Sequence, residues 1–219
     1  MLHRLVAALI ATAIPCPVVA LAQSLPATPG PAECVVEPRP ASFFQPLVAE
    51  ILTATPTASP GATPLVPEEA GEPVDAGTEA EVVALLRQAV ACTNAGDFPR
   101  QTALFTDDAA RDAVLVGWGR SIQAANEARV RSGAEVFSEE ELLDIITRRG
   151  PSRPAGSSPV ALVAVEDVSR LPDGRVSATV VRTLSDGSEF GTRVFVERDG
   201  GRFLIDQETP VSLRGTPIP

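Results

Sequence analysis

Residues 160–207 read VALVAVEDVSRLPDGRVSATVVRTLSDGSEFGTRVFVERDGGRFLIDQ, and this stretch decides the fold. Four β-rich runs, 160–168, 175–184, 190–198 and 202–207, are separated by Pro172-Asp173-Gly174, Ser185-Asp186-Gly187-Ser188 and Asp199-Gly200. Short turns of this Asp/Gly type join antiparallel neighbours. Successive side chains on a strand point to opposite faces, so Phe190, Thr192, Val194 and Val196 share one face while Arg193 and Glu197 take the other. Three hairpins in a row predict an antiparallel meander. Val180-Val181 and Phe195 put apolar residues on both faces, so one face is expected to take helices and the other to be partly covered or curved round an interior.

The stretch before it repeats at helical spacing. Thr78 and Glu81 form a capping-box pattern, and Val82, Leu85, Leu86, Ala89, Val90 and Thr93 then recur at three and four residues to make one apolar face, ended by Gly96. Asp97 with Pro99 reopens a helix through Ala103, Leu104 and Phe105. Thr106-Asp107-Asp108 starts another that runs through Trp118, and Ser138 with Glu141 opens a last one, stopped at Gly150-Pro151. Helices first and an antiparallel sheet afterwards make an α+β plan, with the folded domain expected over 78–209 and a flexible tail over 210–219.

Residues 23–77 have a linker composition, holding 11 of the 21 prolines, and too little apolar surface to offset the entropy of ordering. One piece stands out. Phe44, Leu47, Val48 and Ile51 lie at helical spacing after Ser42, predicting a short helix over 43–53 that either docks on the domain or stays a sticky, unfolded segment. Residues 1–22 read as a cleavable secretory signal: basic His3-Arg4, an apolar run broken by Pro15 and Pro17, and Ala20-Leu21-Ala22 before Gln23. The chain is therefore expected to act outside the cytoplasm, secreted or in the cell envelope, with no integral span after processing.

Cleavage near Ala22 would remove His3, Met1 and Cys16, leaving a chain with no His, Lys, Met or Tyr. The formal charge of −10 disfavours nucleic acid, which needs a positive surface. Cys34 and Cys92 remain, and an oxidising compartment makes an intramolecular disulfide the default, with a free pair or an intermolecular link as alternatives.

Residues 85–98, Leu85 to Asn94-Ala95-Gly96-Asp97-Phe98, followed by Ala103-Leu104-Phe105-Thr106-Asp107-Asp108-Ala109 and closed by Gly201-Arg202-Phe203-Leu204-Ile205-Asp206, resemble the cone-shaped domains of the nuclear transport factor superfamily, which includes SnoaL-like cyclases and ketosteroid isomerases. The arm beginning Cys34-Val35-Val36-Glu37-Pro38-Arg39 is similar to that of a secreted bacterial branch. The resemblance implies a sheet curved into a cone round a cavity. It also implies either a binding or assembly role or acid–base chemistry by a cavity carboxylate or histidine helped by tyrosine. This chain departs from the enzymatic pattern: it has no Tyr, its sole His lies in the signal, and residues 118–160 do not follow the family.

Without histidine or lysine, triad and Schiff-base chemistry are excluded, leaving carboxylates as acid–base candidates. Asp97, Glu166 and Asp206 are the candidates here, each with a plainer reading. Asp97 before Pro99 fits a helix cap, Glu166 beside Asp167 fits a solvated strand position, and Asp206 fits a sheet-face partner to an arginine. Asp107, Asp108 and Asp112 read as helix-start and surface acids. Trp118, flanked by Gly117 and Gly119, and Phe105 are the candidate ligand-pocket residues, with core packing as the alternative. No cofactor or metal site is expected, since zinc and copper sites normally use His or Cys. The favoured function is a secreted, non-enzymatic domain binding a small apolar molecule or a protein, with a homodimer through the sheet as one form of partner. The alternatives are an isomerase or dehydratase using a single cavity carboxylate, and a purely structural envelope module.

Overall fold

Four long strands follow one another as the turn chemistry requires: β2 (Ala161–Arg170), β3 (Val176–Thr183), β4 (Glu189–Asp199) and β5 (Arg202–Val211), after a two-residue β1 (Glu72–Pro73). The structure, a computed structural model, describes residues 28–53, 71–148, 159–184 and 186–211. All neighbouring strands are antiparallel and the sheet order is β1-β2-β3-β4-β5. At the first hairpin, Leu171 N–H donates to Arg175 C=O and Gly174 N–H to Leu171 C=O, with Gly174 at φ 91° as this turn demands.

The helices precede the long strands. They are α1 (Ala41–Thr53), α2 (Ala76–Ala95), α3 (Phe98–Thr102), α4 (Asp107–Asp112), a π-helical stretch (Ala113–Trp118), α5 (Gly119–Arg131) and α6 (Glu139–Arg148). Val82, Leu86 and Val90 of α2 pack on Val176, Ala178 and Val180 of β3 and on Val194 and Val196 of β4, forming the main core. The cap of α2 differs from the sequence expectation. Asp75 accepts from the Gly77 and Thr78 N–H groups, the Thr78 hydroxyl bonds back to it at 2.7 Å, and Glu81 turns outward to Arg198. An ionised carboxylate at the end of the helix dipole wins over the weaker hydroxyl cap three residues on. At α6 the expected reciprocal pair is present: Ser138 N–H donates to Glu141 and Glu141 N–H to the Ser138 hydroxyl.

A second core lies among the helices. Phe44, Leu47, Val48 and Ile51 of α1 are buried against Phe98, Val114, Ile122, Leu142 and Ile146. The helix begins at Ala41, before Ser42, and Pro46 lies on its exposed face, where water replaces the backbone donor that proline lacks.

The cone fold is not present, and with it the likeness to the nuclear transport factor and SnoaL-like domains falls. The sheet is open: β1 and β5 are its edges and do not meet. The apolar residues on the far face have a simpler cause than an enclosed interior. Phe195 is covered by the Arg175 guanidinium, 5.2 Å from the ring centre. Val181 lies between Ala164 and Gly191 in register. Long arginine stems shield apolar surface while their heads stay hydrated, so no second layer is required.

Cys34 and Cys92 form a disulfide. It fastens residues 28–40 along α2, where Glu33 pairs with Arg87, and α3 holds the same segment through Arg100, whose Nε donates to Val36 C=O. The proposed signal and its cleavage position, residues 54–70 of the Pro-rich arm and residues 212–219 of the tail lie outside the described residues. Among the described residues, no helix is long and apolar enough to cross a membrane.

Candidate functional site

Where the C-terminal half of α2 leaves the sheet, a cavity of about 240 Å³ opens between them. Its walls are apolar for the most part: Ala89 and Val90 from α2, Phe105 from the turn after α3, Val160 and Leu184 at strand ends, and Phe190 from β4. Thr93 and Gln101 supply neutral polar groups, and Arg182 and Glu208 supply charge.

The charged pair arises from strand geometry. Arg182 continues the inward series Val176, Ala178, Val180 on β3, and it stands opposite Phe190 on β4. Glu208 stands opposite Val194 on the other side of β4. Arg182 Nη2 donates to Glu208 Oε1 at 2.8 Å, so the ion pair bridges over β4. The side chains are 18 % and 32 % exposed. Arg182 Nε is enclosed and has no hydrogen-bond partner among the described residues, and the hydroxyl of Thr192, on the same face of β4, likewise has none there.

The wall carrying Phe105 is set by the N-terminal segment. Arg39 donates from Nε to Thr102 C=O at 2.9 Å and from Nη2 to Phe105 C=O at 2.7 Å, and it pairs with Asp107. From inside, Thr106 N–H donates to Ile205 C=O and Ile205 N–H to Leu104 C=O, tying the same turn to β5. Phe105 is thus clamped from both sides.

The residues singled out from sequence separate widely. Phe105 lines the cavity; Trp118 does not. Trp118 packs on Phe98 with ring centres 5.4 Å apart at the margin of the second core, its Nε1 buried without a partner. Asp97 caps α3, accepting from Arg100 N–H at 3.0 Å and pairing with that arginine's side chain. Glu166 is exposed on β2, and Asp167 beside it takes φ 53° where the register with β3 slips. Asp206 is the extra residue of a bulge between β4 and β5, and it accepts from Arg175 Nη1 at 2.8 Å. Partial burial works against the Arg175 charge, but the hydrogen bonds to Asp206 and Asp173 outweigh it and raise its pKa above the ordinary arginine value.

Asp206 also meets Asp107 and Asp108 across a polar concavity shared with Glu197 and Asp199. Among the described residues, no three acidic, cysteine or histidine side chains are arranged to hold a metal ion.

Arg182 and Glu208 were missed by sequence reasoning. A signal for Arg182 existed, as a charge on a strand face otherwise made of Val and Ala. Glu208 was out of reach because the apolar pattern stops at Gln207, whereas β5 runs on to Val211 through backbone pairing with β4. No protein-family model, no curated protein and no solved structure matches this chain.

Proposed function

We propose that this chain is an exported binding module that takes a small, largely apolar molecule into the cavity between α2 and the sheet. The observation that carries the reading is that cavity: Phe105, Phe190, Val90 and Leu184 converge on one concave space with a few placed polar groups, the usual make-up of a ligand site. Phe105 is held by Arg39 and by β5, so the wall is formed before a ligand arrives, which lowers the ordering cost of binding. The Cys34–Cys92 bond supports action in an oxidising compartment. Binding is favoured over catalysis because the carboxylate in the cavity, Glu208, is already engaged by Arg182.

The full chain, produced with export and labelled with ¹⁵N, tests this by titration with toluene. Saturable shifts confined to Ala89, Val90, Thr93, Phe105 and Phe190 are expected, and Thr93→Leu, which fills the space, should abolish them. Shifts that never saturate, or that survive the filling substitution, would sink the reading.

A further inference from the structure

We infer that the ligand of this cavity is electrically neutral and ends in a group that offers a hydrogen-bond acceptor and a donor side by side, as a carboxamide or lactam does. The inference rests on the binding reading above and specifies its chemistry. Among the described residues, Arg182 and Glu208 are the charged ones in the cavity wall, and their charges cancel. A ligand carrying net charge would bury it against apolar walls with no counter-charge left over, which is costly. A purely apolar ligand would leave both groups desolvated with hydrogen-bonding capacity unused, also unfavourable.

That unused capacity is specific. A guanidinium has five N–H donors. In Arg182 one of its nitrogens, Nη2, bonds Glu208, and Nε has no acceptor. Glu208 uses Oε1 in that bond, which leaves its second oxygen to accept. Donor and acceptor therefore belong to one ion pair, with the Nε–H enclosed until the Arg182 head turns. An amide oxygen can take the guanidinium hydrogen, reached by a small turn of the Arg182 head. The amide N–H can then give to the second Glu208 oxygen. Two such bonds formed together orient the ligand with its apolar body toward Phe105 and Phe190. The cavity volume of about 240 Å³ is just under the ~300–1,000 Å³ typical of drug-sized ligands, so the body is a single ring or a short chain.

The test uses four probes of one size on the full-length exported chain: hexanamide, hexanoate, hexylammonium and toluene. Binding is read from amide shifts and from the Arg182 Nε–H resonance. Hexanamide should bind saturably and move that resonance, with hexanoate and hexylammonium at least about tenfold weaker, the scale of one lost charge-assisted hydrogen bond. Glu208→Gln removes the counter-charge, so in that variant hexanoate should overtake hexanamide. A spectrum otherwise like that of the unmodified chain confirms that the variant is folded, and Arg182→Gln, in which hexanamide should lose its advantage over toluene, gives a second reading. Equal or tighter binding of hexanoate to the unmodified chain overturns the inference. If toluene binds and hexanamide does no better, the inference fails while the binding reading stands. If none of the four binds, both fail.

Discussion

Asn94, on the last turn of α2, joins three parts of the chain with one side chain. Its amide nitrogen donates to Pro29 C=O at 2.9 Å and to Val160 C=O at 3.0 Å, and its oxygen accepts from Val160 N–H at 2.8 Å. Val160 lines the cavity, so this residue also sets one of its walls. Asn94→Ala leaves partly buried backbone groups unpaired and should lower unfolding free energy by about 1–3 kcal/mol in urea titrations. Thr192 makes the opposite case. Its hydroxyl is buried without a partner and the residue is 3 % exposed. Thr192→Val keeps the β-branched shape and removes the desolvated group, so it should raise stability by about 1 kcal/mol. A loss of stability on that change would mean that the hydroxyl has a partner in solution.

Helix α1 shows how an element can be unstable in isolation and yet integral to the fold. It is 13 residues long with a proline inside, too short to hold helical form alone in water. Its stability comes from burying Phe44, Leu47, Val48 and Ile51 against α6 and the π-helical stretch. Leu47→Ala should therefore cost about 2–5 kcal/mol, as for any buried leucine, while Val130→Ala on the exposed face of α5 should change stability by no more than about 0.5 kcal/mol. Equal, small effects at both positions would show that α1 is not part of the cooperative unit. The sheet edges also carry their own controls. The register of β2, which β1 covers only at Ser169 and Arg170, slips twice against β3, once beside Asp167 at positive φ, and β5 has Pro210 near its end. These are features that discourage edge-to-edge pairing of sheets.

At the scale of the whole molecule, the disulfide and the acidic caps set the conditions for stability. Cys34 and Cys92 are 58 residues apart, and closing a loop of that length should stabilise the fold by about 4 kcal/mol on the loop-entropy account. The double substitution Cys34→Ser with Cys92→Ser should lose that amount in urea unfolding and loosen residues 28–40. The pH response follows from carboxylates held in turns and caps. The Thr78 backbone N–H and hydroxyl lower the Asp75 pKa, the Ser138 backbone N–H and hydroxyl do the same for Glu141, and the Arg175 backbone N–H and side chain lower that of Asp173. A pKa depressed by folding contributes stability that is present above the unfolded value and lost as pH falls through the folded one. The urea midpoint should thus be flat from pH 7 to about 5 and fall below about pH 4, where ordinary carboxyls protonate. Asp75→Asn should make that fall shallower.

The placing of helices before strands, the three hairpins, the inward face of α2 and the disulfide partners were legible along the chain, because turn chemistry, side-chain period and cysteine count are local, whereas α5 (Gly119–Arg131) was not read from the sequence. The apolar spacing of α1 was visible too, yet nothing local could say what it docks on. The shape of the sheet was not legible either. Phe195 looks the same in sequence whether an interior or the Arg175 guanidinium covers it, and only the strand pairing, which leaves β1 and β5 as separate edges, distinguishes an open sheet from a cone. The cavity is tertiary for the same reason. Arg182 and Glu208 come from strands separated by β4, and their pairing exists only once the register of three strands has brought them over one face.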